Sequence, residues 1–316
     1  VNLPADWAVR ISENAAGGLV FIDELTTAPP AVQPALLGLI QFGIIGSYTL
    51  NPRVRILGAA NPPEIAAAGY DLPPTVANRM GHLNWNRPQV DAWSDYLINL
   101  NSSNEVETLP AVQEEARVLS AWTDCYARSV GEYSGFLHHM PELLHKMPRR
   151  EDPQISRAWP SPRSNELAVR ALAGAYAHGL SPVDTDEFIG AFVGEASAIE
   201  FSSWKREADL PLPLDLLDGK ATFKHSNKRL DRTVAVMASC VSTVSDVSLK
   251  DRIDRCEALW GLIKTVAEAG APDLAVAPAK YLCKFSSKLP RYFKFSAGEA
   301  ALEKISKILK SAGEIP

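Results

Sequence analysis

Apolar and polar residues alternate along the chain in two different ways, and the change falls near residue 87. Before it, short apolar runs bounded by turn residues predict β-strands at residues 19–22, 44–45, 48–49, 54–60 and 82–83. The stretch 35–40 has the spacing of a helix. Strands that alternate with helices predict an α/β layer with parallel strands, and the nearly continuous apolar runs predict burial on both faces of the sheet.

After residue 87 the apolar positions recur almost everywhere with helical spacing. Helices are predicted at residues 91–100, 111–130, 141–146, 162–178 and 185–206, with several more after Asn227. A proline-rich break at 210–214, followed by Asp218-Gly219, separates two helical parts. We therefore interpret the chain as an α/β region (1–86), a helical region (87–206) and a C-terminal helical region (207–316).

Composition narrows the classes of function. A net charge of -5 and a pI near 5.8 give no basic surplus, so a nucleic-acid partner is not expected. The four cysteines lack CxxC pairing, which favours reduced thiols and a cytoplasmic protein without structural zinc. Since no stretch reaches the roughly 18 apolar residues that a membrane span needs, no span is predicted.

The first candidate site lies at the end of the apolar run 19–22, where Asp23 and Glu24 follow directly. The carboxyl edge of a parallel sheet is where α/β folds bind ligands. There the first carboxylate can hold Mg²⁺ through water, and the second can orient or deprotonate a water that attacks a γ-phosphate. The alternative is an ordinary strand end whose acids cap the next helix.

Two more polar residues stand at the ends of predicted elements. Asn61 follows the run 54–60 and precedes a proline, so it is either a second ligand at the same sheet edge or a turn former. Arg163 stands at the start of helix 162–178, where Ser161 suits the N-cap and Pro162 the first helical position. Arg163 is either a ligand-binding residue or an arginine at a helix start that points into solvent.

Taken in order, these segments resemble the MoxR branch of the AAA+ ATPases. Residues 18–33, an apolar run with Asp-Glu and a proline-containing link, look like its Walker B segment. Two short strands around Gly46-Ser47, a type II′ turn signal, match the β-hairpin that the family inserts before its sensor 1 strand. Residues 71–80 resemble the family's short helix that ends in an arginine, here Arg79, before a fifth core strand at 81–85.

The resemblance implies a P-loop NTPase-type parallel sheet, partial here, followed by a helical lid, with ATP and Mg²⁺ as ligands. Asn61 would contact the γ-phosphate or the attacking water. Arg79 would serve a neighbouring subunit's site as an arginine finger, for which a surface salt bridge is the alternative. Ser161-Pro162-Arg163 resembles the sensor 2 motif, whose arginine reaches the phosphates from the lid.

The resemblance also implies a hexameric ring that acts as a chaperone on a protein client, often with a von Willebrand factor A-domain protein. The phosphate-binding loop GxxxxGK[ST] is missing from the 316 residues, and Gly219-Lys220 is only a turn. We expect that the parent protein is longer and that this chain alone binds ATP weakly or not at all. The alternatives are a non-hydrolysing AAA+-like regulatory or scaffold protein and an AAA+ factor acting on DNA, for which no basic patch is evident.

Overall fold

The structure, a computed structural model, describes residues 5–61, 69–99, 112–246 and 251–286, together with residues 298, 301, 305 and 306. Most of the described chain is helical. No helix in these ranges is long and apolar enough to cross a membrane. The chain divides into two compact units, of which the first combines Val1–His82, His145–Leu167 and Gly190–Glu195, and the second combines Leu83–Leu144, Ala168–Ile189 and Ala196–Pro316. The predicted region boundaries at 86 and 206 stay predictions.

The first unit contains the sheet. Its elements up to residue 82 are α1 (Asp6–Glu13), β1 (Gly18–Ile22), α2 (Leu36–Phe42), β2 (Ile44–Ile45), β3 (Tyr48–Thr49), β4 (Val54–Gly58) and α3 (Pro74–Ala77). Strands β1 and β4 pair in parallel, with Gly18 opposite Val54 and Ile22 opposite Gly58, which confirms the parallel layer. Strands β2 and β3 form the expected hairpin, and Gly46 takes the positive φ of 59° that its tight turn requires.

The described residues cover only one face of this small sheet. Ile22, Val54 and Ile56 pack with a buried cluster of Ala8, Leu39 and Leu50 from α1, α2 and the segment after the hairpin. On the other face, Leu19, Phe21 and Leu57 are 58%, 55% and 51% exposed. The prediction of burial on both faces was therefore wrong for the described residues. Successive side chains of a strand point to opposite faces, so apolar runs alone cannot show how many faces are covered.

The predicted fifth strand at 81–85 was also wrong. The structure has irregular backbone there, in which the N–H of His82 donates to the carbonyl oxygen of Ala191 at 2.8 Å. This bond uses a backbone donor that a strand would give to a neighbouring strand. Trp85 is 96% exposed, so none of the described residues packs over the end of this segment.

After residue 87 the described chain is mostly helical, as predicted, with irregular segments between the helices. The helices are α4 (Val90–Asn99), α5 (Val112–His139), α6 (Pro162–His178), α7 (Pro182–Val193), α8 (Glu195–Ala208), α9 (Pro213–Leu217), α10 (Leu230–Ser245), α11 (Arg252–Glu268) and α12 (Pro272–Ser286). Short 3₁₀ turns occur at Leu25–Thr27, Gln33–Ala35, Pro141–Leu144 and Pro153–Ser156. Residues 141–146 were predicted as a helix and form only the third of these turns.

The single helix predicted at 185–206 is two helices, α7 and α8. Gly194 separates them with φ of 84°, a left-handed conformation that ends a helix and suits glycine. The first of the two also begins earlier than predicted, because the Ser181 hydroxyl accepts the N–H of Asp184 at 3.2 Å and caps it.

The second unit is built around the packing of α5 along α10. Gly131 and Gly135 of α5 lie against the backbone of α10, where any larger side chain would clash. Beside this contact, an aromatic cluster fills the space between α5 and α8, with members Tyr133, Phe136, Phe201 and Trp204. A second core joins α10 to α11 and α12 around the fully buried Trp260 and Ile263.

Candidate functional site

Asp23, Glu24 and Asn61 lie beyond the carboxyl ends of the paired strands. Asp23 and Glu24 follow β1, and Asn61 comes three residues after β4. Two backbone bonds join these segments: Ala59 donates its N–H to Ile22 at 2.9 Å, and Leu25 donates its N–H to Ala59 at 2.8 Å. Because the strands are parallel, the acid pair and the asparagine share one edge of the sheet, and all three are exposed.

The backbone turns sharply at the acid pair. Glu24 has φ of 49°, which is uncommon for a residue with a side chain and disfavoured by about 1–2 kcal/mol. Its N–H donates to Oδ1 of Asp23 at 2.9 Å, and its carbonyl accepts both the N–H and the hydroxyl of Thr27 at 2.8 Å. Such strained residues concentrate at functional sites, and neither carboxylate forms an ion pair with a described residue.

The chemistry of this edge fits Mg²⁺ held together with a phosphate. One oxygen of Asp23 accepts the Glu24 N–H, and the other has no hydrogen bond within the described ranges. The described residues contain no group of three or more His, Cys, Asp or Glu side chains able to hold a metal ion. Mg²⁺ usually keeps several waters and binds one or two carboxylates plus substrate phosphates, so an isolated acid pair suits it.

Arg79 follows α3 and is held in a defined orientation. Its Nε donates to Oε1 of Gln41 at 2.6 Å, and its Nη1 donates to the carbonyl oxygen of Thr75 at 2.5 Å. No salt bridge joins it to an acid in the part of the chain that the structure describes, so the salt-bridge alternative finds no partner there. Partial burial lowers the pKa of Arg79, and the positive charge of Arg163 lowers this pKa further.

The proximity of Arg79 and Arg163 follows from buried hydrogen bonds between their segments. The Ser161 hydroxyl donates to Oδ1 of Asn78 at 2.6 Å, and Nδ2 of Asn78 donates to the carbonyl of Trp159 at 2.9 Å. Asn78 and Ser161 are only 4% and 5% exposed. Arg163 lies in the first turn of α6, whose N-cap is Ser161 as predicted, since Ser164 donates its N–H to the Ser161 hydroxyl at 3.1 Å.

Asn78 and Gln41 were missed by the sequence analysis. Asn78 stands next to Arg79, but nothing in its local sequence shows that its amide bonds to a segment some 80 residues away. Gln41 belongs to the apolar stretch of α2 as its one amide side chain, which was the only available signal.

The predicted site residues thus form two groups. Asp23, Glu24 and Asn61 share the sheet edge. Arg79 and Arg163 form the second group, the arginine pair, whose segments are joined by the hydrogen bond from Ser161 to Asn78. No ion pair joins the two groups among the described residues. Comparison of the chain with protein-family models, with curated proteins and with solved structures finds no match.

Proposed function

We propose that this protein belongs to the MoxR type of AAA+ ATPases and hydrolyses ATP at the interfaces of a ring, where it remodels a protein client. The observation that carries the proposal is the parallel pairing of β1 with β4, which brings an Asp-Glu pair and an asparagine from separate segments to one ligand-binding edge. This arrangement of carboxylates and an amide suits phosphoryl transfer to water, which depends on positioning and charge stabilisation.

Each residue of the edge has one role in this proposal. Glu24 orients the attacking water and accepts its proton, and Asn61 positions the same water or the γ-phosphate. Asp23 would hold Mg²⁺ through water, and a bound ion would supply positive charge to the phosphates. Glu24 stands at the strained turn that directly follows β1.

The arginine pair supplies the positive charge. Asn78, next to Arg79, is hydrogen-bonded to Ser161, two residues before Arg163, so the two arginines lie in adjoining segments. In this proposal both guanidinium groups act on the same phosphates. In this proposal Arg79 serves the nucleotide of a neighbouring subunit as an arginine finger, and Arg163 reaches the phosphates from the helical lid. Each arginine carries several N–H donors in a planar fork that matches phosphate oxygens.

The proposal is tested with the natural full-length protein. We expect Mg²⁺-dependent ATP hydrolysis, and we expect that Glu24→Gln stops turnover while nucleotide binding persists, since Gln cannot accept the proton of the water. Glu13→Gln, which changes an exposed acid of α1 in the same way, serves as the control. Equal ATPase rates in wild type and Glu24→Gln would refute the proposed function.

The subunit arrangement has its own test. Arg79→Ala should lower turnover by about 10³-fold or more, as expected for loss of an arginine finger, whereas Arg10→Ala, which removes an exposed arginine of α1, should not. Mixing Arg79→Ala with Glu24→Gln subunits should restore part of the activity, because each carries the group that the other lacks. Mixed rings without recovered activity would refute the interface site.

A non-hydrolysing scaffold is the second candidate, because the 316 residues contain no GxxxxGK[ST] segment. Nucleotide binding distinguishes the two. A full-length protein that forms rings and binds a client but binds no ATP would be this scaffold.

A further inference from the structure

The arginine pair is assembled from two segments that lie far apart in the chain. Arg79 follows α3, and Arg163 belongs to the first turn of α6. Two flexible arginine side chains on the surface would lose rotamer entropy on being aligned, unless the backbone beneath them is already fixed. The residues directly before them provide this fixation.

The fixation is a buried and reciprocal hydrogen-bond network. The side-chain amide of Asn78 donates to the carbonyl of Trp159 and accepts from the Ser161 hydroxyl. The same hydroxyl caps α6, and the Ser164 hydroxyl accepts the N–H of Ser161 at 2.8 Å while donating to the Trp159 carbonyl at 2.8 Å. Removing a partner from such a network leaves a buried polar group unsatisfied, so the network enforces one geometry.

A third contact acts on the guanidinium of Arg79 itself. Gln41 is exposed, yet its Oε1 accepts the Arg79 Nε at 2.6 Å, while the Thr75 carbonyl accepts Nη1 from the other side. With two of its nitrogens engaged on the protein, the guanidinium has a restricted range of orientations. Gln41 lies in the last turn of α2, two residues before Gly43 ends the helix and the β2–β3 hairpin begins.

From these contacts we propose that Asn78, Ser161 and Gln41 are positioning residues. Together they hold the guanidinium groups of Arg79 and Arg163 side by side as one site for the phosphates of a nucleotide. The inference rests on the proposed function, and it adds the residues on which the geometry of the arginine pair depends. None of the three touches the nucleotide in this scheme, so their loss should change turnover more than nucleotide binding.

The first test replaces Ser161 in the full-length protein. Ser161→Ala removes the bond to Asn78, and because a misplacement of about 1 Å can lower a rate by 10²-fold, we expect kcat to fall by about 10²-fold. The KM for ATP should change by less than about threefold. Ser161→Thr keeps the hydroxyl and should restore most of the rate. Ser181→Ala is the control, because it removes another serine N-cap, that of α7, a helix that carries neither arginine.

The second test uses Gln41, whose exposure makes misfolding of the variant no concern. Gln41→Leu removes the acceptor for Arg79 and should lower kcat, whereas Gln41→Glu keeps an acceptor oxygen and should not. Both variants should unfold at the temperature of the wild type within about 2 °C, since surface substitutions change stability little.

Mixing distinguishes positioning from a general loss of stability. A Ser161→Ala subunit retains Glu24 but presents misplaced arginines, so mixing with Glu24→Gln subunits should raise activity above the sum of the two. A subunit that is merely unfolded gains nothing from such a partner. If the wild type hydrolyses ATP in a Glu24-dependent way but kcat is unchanged in both Ser161→Ala and Gln41→Leu, the positioning role is overturned and the proposed function stands. Absence of any Glu24-dependent hydrolysis would overturn the proposed function and this inference together.

Discussion

The contact between α5 and α10 gives a quantitative test of the fold. Gly131 lies in α5, and a Cβ added there would stand 2.5 Å from the carbonyl oxygen of Ala235 and 2.5 Å from the Cβ of Ser239. Ordinary contact begins at about 3.4 Å, so each distance is about 0.9 Å too short. Both obstacles are backbone or Cβ atoms of α10, which cannot rotate aside, so Gly131→Ala must push the helices apart.

The expected magnitude combines two opposing effects. Overpacking of a close contact typically costs about 1–3 kcal/mol. Replacing a helical glycine by alanine favours the folded state by about 0.5–1 kcal/mol through backbone entropy. Steric repulsion is therefore larger, and we expect Gly131→Ala to lower the free energy of unfolding by about 1–2 kcal/mol.

Gly174 provides the matched comparison, because it is also in the middle of a helix, α6, and a Cβ there would meet nothing within 4 Å. Gly174→Ala should raise the free energy of unfolding by about 0.5–1 kcal/mol. Urea denaturation followed by circular dichroism measures both values, and their difference isolates the steric effect. Equal midpoints for the two variants would refute the close helix packing.

Three further predictions concern other parts of the chain. Burial lowers the pKa of His82, so as the pH falls the unfolded chain binds a proton before the folded protein does, and the free energy of unfolding should decrease below about pH 6.5. Urea titrations at pH 7.5 and 5.5 should show this decrease in the wild type and a smaller one in His82→Gln. Gly194→Ala should destabilise the protein by about 1–2 kcal/mol in thermal unfolding, because φ is 84° and the added Cβ would stand 3.0 Å from the Ala158 carbonyl oxygen. Gly179→Ala should destabilise it less, because φ is 70° there but the added Cβ would meet nothing within 4 Å. Glu132→Ala should lower the free energy of unfolding by about 3 kcal/mol, because the carboxylate is 6% exposed and accepts hydrogen bonds from Arg128 and Tyr176. Glu114→Ala, measured in parallel, should lower it much less, because the Glu114 side chain is 39% exposed.

Elements whose sequence signal is local could be predicted well. Strands β1 and β4 bury the side chains of one face against α1 and α2. This burial requires apolar residues, which is why both strands can be recognised in the sequence as apolar runs. Helix α6 was predicted from its first residue to its last, because a serine N-cap and a proline in the first position mark its start. These signals depend only on neighbours within a few residues.

Elements that depend on a distant partner could not be predicted in the same way. Residues 81–85 have a strand-like composition, but a strand requires a neighbour, and the N–H of His82 bonds instead to Ala191. The break at Gly194 was missed because a single glycine within an apolar helical pattern is often tolerated. Its positive φ coincides with a close approach to the Ala158 carbonyl, which only the tertiary structure shows.

The same distinction separates the two halves of the candidate site. Asp23, Glu24 and Asn61 could be proposed from sequence because a parallel sheet brings the ends of its strands together by its own geometry. No comparable rule places Arg79 beside Arg163. Their segments are joined by the amide of Asn78 and the hydroxyl of Ser161, which the local sequence indicates only as a turn residue and a helix cap. A buried asparagine directly precedes the half-buried Arg79, and a capping serine stands two residues before Arg163, so the backbone under each arginine is held in place. Arginines on a fixed backbone lose less entropy when they bind a phosphate than arginines on a mobile loop. The buried network, and not the guanidinium groups alone, therefore determines how strongly the arginine pair can bind phosphates.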